Sequence, residues 1–152
     1  ALAVESYAGK FYGSQSKGNL YGLLLLGIGG SVILGSAIAL FLIFVPSVFF
    51  PLLTDHAILL NAIPTYIAWL LPVLSFGGVA FTLDGYFLGL TDGRSLRNST
   101  LIAALVGFLP LAAIARYLAL PHLLWLALTV LMMTRAITLL RKVPATVLVE
   151  TP

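Results

Sequence analysis

Residues 19–45 read NLYGLLLLGIGGSVILGSAIALFLIFV, a run of apolar and small residues without one charged side chain. A helix that crosses the hydrocarbon core of a bilayer needs about 20 predominantly apolar residues, and this stretch exceeds that length. The nearest charges are Lys17 and Asp55, and Pro46 and Pro51 mark where the helix should stop, because proline has no N–H to continue the ladder. The stretch therefore predicts a transmembrane helix over about Asn19 to Val45.

Three more spans follow by the same reasoning. Between His56 and Asp84 the chain is again uncharged, and its apolar character continues to the turn Thr91-Asp92-Gly93-Arg94. Counting back about 20 residues from Thr91 reaches Pro72, so residues 58–71 form an interfacial or kinked entry, with Tyr66 and Trp69 at headgroup level. A third helix, capped by Ser95, runs to Arg116 and kinks at Pro110. A fourth starts at Pro121, a favoured first helical residue, and runs to Arg141 and Lys142 before Pro144. Upstream, residues 1–11 read as the closing turns of a helix begun earlier, ending in the polar turn Gly13-Ser14-Gln15-Ser16-Lys17-Gly18. The predicted fold is all-α: a polytopic transmembrane bundle over residues 1–144 with four full spans and the end of a fifth, followed by a loose tail over residues 145–152. A chain that is a piece of a longer polypeptide is expected.

Composition agrees with this and excludes other classes. The 152 residues are 61% hydrophobic and 9% charged, with a mean hydropathy of +1.10, whereas soluble domains carry about 25% charged residues. The absence of cysteine removes disulfides, thiolate metal sites and thiol nucleophiles. The formal charge of +3 comes from Lys and Arg scattered at helix ends, not from a stripe, so nucleic acid is not an expected partner. Lys10, Lys17, Arg94, Arg97, Arg141 and Lys142 fall at one face of the predicted bundle and Arg116 at the other. The positive-inside rule then places the 13–18 loop, the 92–95 loop and the C-terminus in the cytoplasm.

Few residues carry chemistry. Gly27, Ser31, Gly35 and Ala39 recur every fourth residue and form a ridge of small side chains on which another helix can pack closely. Gly85 and Gly89 repeat the spacing in the second helix. Between them and the preceding apolar run stands Asp84, eight residues before Asp92, or about 12 Å along the axis. That spacing puts a carboxylate near the bilayer midplane, where insertion scales assign a cost of roughly 2.5–3.5 kcal/mol and where such groups face a cavity or a partner. Asp84 is the candidate cation- or substrate-binding residue, with Gly77 and Thr91 on its helical face and open space expected beside Gly85 and Gly89. A purely structural role, with Asp84 bonded to a helix carbonyl or to Arg135, is the alternative. Arg135 reads either as a headgroup anchor near the membrane exit or as the partner of Asp84. His56 and His122 have no companion ligands, so no metal or cofactor is expected. No nucleophile with a base and no phosphate-cradling loop appears, and Gly27-Ile28-Gly29-Gly30 is embedded in a hydrophobic helix; no enzyme is expected.

The segment Leu83-Asp84-Gly85-Tyr86-Phe87-Leu88-Gly89-Leu90-Thr91-Asp92-Gly93-Arg94-Ser95-Leu96-Arg97-Asn98-Ser99 resembles the multidrug and toxic compound extrusion (MATE) family, specifically its DNA-damage-inducible F subfamily. There a Leu-Asp-Gly run closes the tenth helix and an Arg-Asn-Ser triplet opens the eleventh. Val4-Glu5-Ser6-Tyr7-Ala8-Gly9 is similar to the end of the eighth helix, and Thr134-Arg135-Ala136 to Arg141 to the close of the twelfth. The resemblance implies the C-terminal lobe of a proton- or sodium-coupled antiporter that exports drugs or metabolites. Asp84 then matches the tenth-helix carboxylate, a small organic molecule is the substrate, and membrane lipid and a missing N-terminal lobe are the partners. The expected location is a bacterial inner membrane, with a thylakoid or organelle membrane as the alternative. The competing function is a structural or accessory subunit that transports nothing and packs against another membrane subunit.

Overall fold

The computed structural model describes residues 2–14, 16–45 and 64–148. The stops expected at Pro46 and Pro51, the outward loop with Asp55 and His56, and the last four residues of the tail lie outside these. Helix α1 covers Leu2–Gly13 and α2 Lys17–Phe44. The next span, Pro64–Gly89, passes through a single 3₁₀ turn at Ile67–Trp69 into α3, Leu70–Gly89. Helices α4, Gly93–Ile102, and α5, Leu109–Leu118, are joined through a π-helical turn at Ala103–Phe108. Helix α6 covers Pro121–Leu140, and a short α7, Val143–Leu148, follows. No strand occurs among the described residues. The four long helical segments, Gly18–Phe44, Pro64–Gly89, Gly93–Leu118 and Pro121–Thr146, are each long and apolar enough to cross a membrane.

The outside of the bundle is as apolar as its inside. Leu26 and Phe44 are each 79% exposed, and Ile33, Leu105 and Val106 also point outward. Such a surface is stable only against lipid, so the chain is an integral membrane protein. Interior packing instead uses small residues and a cluster gathered at one end of the bundle, in which Leu20, Leu24, Leu83, Tyr86, Phe87 and Leu139 are buried together. Tyr86 and Phe87 meet edge to face with ring centroids 5.4 Å apart.

Helix α3 is the central element, packed against α1, α2 and α6. The small-residue ridge of α2 forms the antiparallel α2–α3 contact. A Cβ added at Gly35 would stand 2.8 Å from the Leu74 carbonyl oxygen, and one at Gly78 2.8 Å from that of Ser31. A Cβ at Gly27 would stand 2.9 Å from the Thr82 methyl. Ala39 is fully buried, and Ser36 and Ser75 share a hydrogen bond of 3.0 Å across the same seam. Gly89 differs from the sequence reading in its surroundings: a Cβ there would collide with the Glu5 carbonyl and with Ala8. The space beside it is filled by α1, so Gly89 brings two backbones together and opens nothing beside Asp84. Gly85 is buried within α3.

Helix ends also differ from expectation. The cap of α4 is Asp92 and not Ser95: an Asp92 oxygen accepts the Ser95 N–H at 3.1 Å, and the Ser95 hydroxyl donates to the other. A carboxylate is the stronger acceptor for an N-terminal donor, which displaces Ser95 into the first turn. That hydrogen bond to the Ser95 hydroxyl is the main reason the Asp92 carboxyl lies below its ordinary value of 3.8. Thr91 falls beyond α3, at φ 59°, in the left-handed conformation that ends many helices. Before Pro110, where the sequence predicts a kink, the helix widens into a π turn in which the Leu109 N–H reaches back to the Ala104 carbonyl; a widened turn relieves the clash between the proline ring and the preceding carbonyls. The tail is not loose throughout, since Val143–Leu148 is helical and the Thr146 hydroxyl lies 2.8 Å from that of Tyr86.

Candidate functional site

Helices α3 and α6 run parallel, both from the end where the Trp69 indole N–H donates to His122 Nδ1 at 3.3 Å toward the end where the Lys142 ammonium reaches Ser95 at 3.2 Å. On their facing sides, five residues from the ends of α3 and α6, stand the two charged residues that the sequence singled out. Arg135 Nη2 lies 2.9 Å from Asp84 Oδ2. The Arg135 side chain is thus turned onto Asp84 and not extended toward the headgroups.

The pair is incomplete. Asp84 Oδ1 and Arg135 Nε are both buried and have no hydrogen-bond partner among the described residues, while the side chains as wholes keep 13% and 24% of their surface, respectively. A carboxylate offers several acceptor sites and a guanidinium several donors in a planar fork, and their strongest arrangement is bidentate. Here one N–H meets one oxygen. The arrangement can do what a mid-helix carboxylate facing an unfilled contact does: accept a proton, a metal cation or an organic cation, or exchange one positive group for another. Its depth also differs from expectation. Asp84 lies seven to eight residues past the centre of the span Pro64–Gly89, roughly 11 Å toward the end bearing Arg94 and Lys142.

Two residues that the sequence did not single out fix the backbone behind Arg135. The Arg135 carbonyl lies 3.3 Å from the Ser99 hydroxyl and 3.0 Å from that of Thr138; the Thr138 hydroxyl is also 2.8 Å from the Thr134 carbonyl and 2.6 Å from the Ser99 hydroxyl, so these groups share their protons in one small network. Ser99 is buried in α4. Its signal was the Arg97-Asn98-Ser99 triplet, noticed as a pattern and not as chemistry. Small residues also set the contacts of α6: a Cβ added at Gly77, two turns before Asp84, would stand 3.9 Å from the Met132 sulfur, and one at Gly107 of the π turn 3.1 Å from the Thr134 hydroxyl.

Other features stay apart from this site. His122 sits at the opposite end of α6, tilted against Tyr66 with ring centroids 4.9 Å apart. Among the described residues no three His, Cys, Asp or Glu side chains converge as a metal site would need. A shallow apolar groove of about 370 Å³ opens between α1 and α2, lined by Tyr7, Phe11, Gly22 and Leu26, and does not include Asp84 or Arg135.

Among the described residues, four lipid-facing spans with a half-buried carboxylate–guanidinium pair between two of them define a membrane protein of the polytopic helical class. Comparison with known proteins identifies which kind. The MatE family model matches residues 1–118, and the chain belongs to that family, whose members are transporters and not enzymes. It is 31% identical over 141 residues to DNA damage-inducible protein F of Escherichia coli (strain K12), an alignment covering 91% of this chain and 30% of that protein. The chain thus spans about a third of the length of the relative it matches. No solved structure matches it.

Proposed function

We propose that this chain is part of the C-terminal lobe of a cation-coupled antiporter that exports drugs or metabolites, with Asp84 as the group that binds the coupling cation or the substrate. The observation that carries the reading is the Asp84 carboxylate within a transmembrane helix, with one oxygen on Arg135 and the other unpartnered among the described residues. Keeping a carboxylate in the apolar surroundings of a membrane costs free energy, and membrane carboxylates of this kind mark ion and proton pathways. Family membership supports transport. The E. coli relative supports a bacterial inner membrane as the location.

Transport by rocking of two repeats around a central site needs both repeats, so the partner in this reading is an N-terminal lobe that completes the transporter. The deciding experiment is Asp84→Asn in the complete polypeptide. Asparagine keeps the size and hydrogen-bonding capacity of the side chain and removes its charge. At equal amounts of folded protein in proteoliposomes with an imposed proton or sodium gradient, coupled efflux is expected to fall at least about tenfold, the effect of losing one charged interaction. Unchanged coupled efflux would refute the role of Asp84.

A further inference from the structure

Arg135 occupies the Asp84 carboxylate in a way that a purely structural ion pair has no reason to. The contact is single, Nη2 to Oδ2 at 2.9 Å, although a planar fork opposite a carboxylate favours two parallel bonds. Among the described residues Oδ1 and Nε are left buried without partners, a state that costs free energy for as long as it lasts. Both side chains retain some exposure among the described residues. The Arg135 backbone carbonyl is tied to α4 through the Ser99 hydroxyl, so a change of partner at Asp84 falls to the Arg135 side chain and not to α6. Arg135 is also only six residues before Arg141, about 9 Å along the helix, within reach of the headgroup level for a long cationic side chain.

We propose that Arg135 is a built-in occupant of the Asp84 site, displaced when an organic cation bearing N–H groups, such as a guanidinium, an amidinium or a protonated amine, takes the carboxylate. This rests on the reading of Asp84 as a cation-binding group. A displacing ligand must restore what Arg135 supplied, a positive charge and at least one N–H donor, and gains more if it also fills Oδ1. A quaternary cation neutralises the charge but gives neither oxygen a hydrogen bond, so the site selects against it. Arg135 then extends toward the headgroups, and the pair works as a two-position switch between the internal guanidinium and the external one.

The test measures equilibrium binding of phenylguanidinium and phenyltrimethylammonium to the complete polypeptide in micelles at one fixed neutral pH. The wild type is expected to bind phenylguanidinium the more tightly, and Asp84→Asn to lose it. Arg135→Gln, which removes the internal competitor, is expected to tighten phenylguanidinium binding by at least about tenfold. Arg135→Lys, which keeps the charge but lacks the planar fork, is expected to tighten it by a smaller factor, and it carries the test if the glutamine variant does not fold. Unchanged or weaker binding in the folded Arg135 variant, with binding still lost in Asp84→Asn, overturns the internal occupant and leaves the Asp84 reading intact. Wild-type binding in Asp84→Asn overturns both, and equal wild-type affinity for the two probes overturns the N–H selection.

Discussion

At Asp84 a carboxylate has one oxygen against a guanidinium and the other without a donor among the described residues. Removing one member of such a pair strands the other charge in apolar surroundings, whereas removing both strands nothing. The double variant Asp84→Asn/Arg135→Gln is therefore expected to be more stable in detergent than Arg135→Gln alone, with a coupling of about 1–3 kcal/mol from a double-mutant cycle. Additive losses would mean that the pair contributes no coupling to the fold. Asp92, in the turn between two spans, makes a separate prediction. Its carboxyl is held below the ordinary 3.8, chiefly by the Ser95 hydroxyl. A group whose folded value is lowered contributes stability above its unfolded value and loses it as pH falls through the folded one. Thermal stability of the wild type is thus expected to drop as pH goes below 3.8, while Asp92→Asn, already lacking the charge, shows a shallower drop over that window.

Between elements the α2–α3 seam is decided by backbone approach. Gly35 has no room for a Cβ against the Leu74 carbonyl, whereas its neighbour Leu34 is 62% exposed and faces lipid. Gly35→Leu is expected to destabilise the bundle by about 3 kcal/mol or more through forced separation of the helices. Leu34→Ala should cost under about 1 kcal/mol, since lipid surrounds it either way. Comparable melting temperatures for the two in detergent would remove the close-packing account. Ala119 ends α5 at φ 51°, a conformation that costs a residue with a Cβ roughly 1 kcal/mol relative to glycine. Ala119→Gly is accordingly expected to raise stability slightly, and a lower melting temperature would contradict the strain. The ridge on α2 was legible because small residues every fourth position mean the same thing in any bundle. The π turn was not: Pro110 announces that the ladder must change, but whether by a kink or by a wider turn depends on the packing around it.

Across the whole molecule, one end gathers the exposed Lys10, Arg94, Arg97 and Arg141, with Lys142 on Ser95 and the Gly9 backbone against Gly89. The other end holds Tyr66, Trp69, His122 and Trp125. By the positive-inside rule this asymmetry predicts that the basic end faces the cytoplasm. The chain has no cysteine, so single cysteines are clean reporters. Arg94→Cys and Ala145→Cys are expected to react with an impermeant thiol reagent from the cytoplasmic side and His122→Cys from the opposite side; labelling of the first two from different sides would refute the topology.

The sequence by itself predicted four spans, because a long apolar run with few or no charges is stable chiefly as a membrane helix, and the described residues hold four helices long and apolar enough to cross. It determined the α2 ridge from spacing alone, and it singled out Asp84, since one carboxylate in an apolar helix is conspicuous whatever surrounds it. It gave two places for Arg135, the headgroups and Asp84, and only the tertiary structure chose, by setting α3 and α6 parallel and in register so that Nη2 falls 2.9 Å from Oδ2. Ser99 and Thr138 behind Arg135, and α1 filling the space at Gly89, were likewise decided by tertiary structure. Hydropathy and spacing record how each helix meets lipid along its own axis; which faces of different helices meet depends on rotation and register between segments far apart in the chain, and that exists only once they pack.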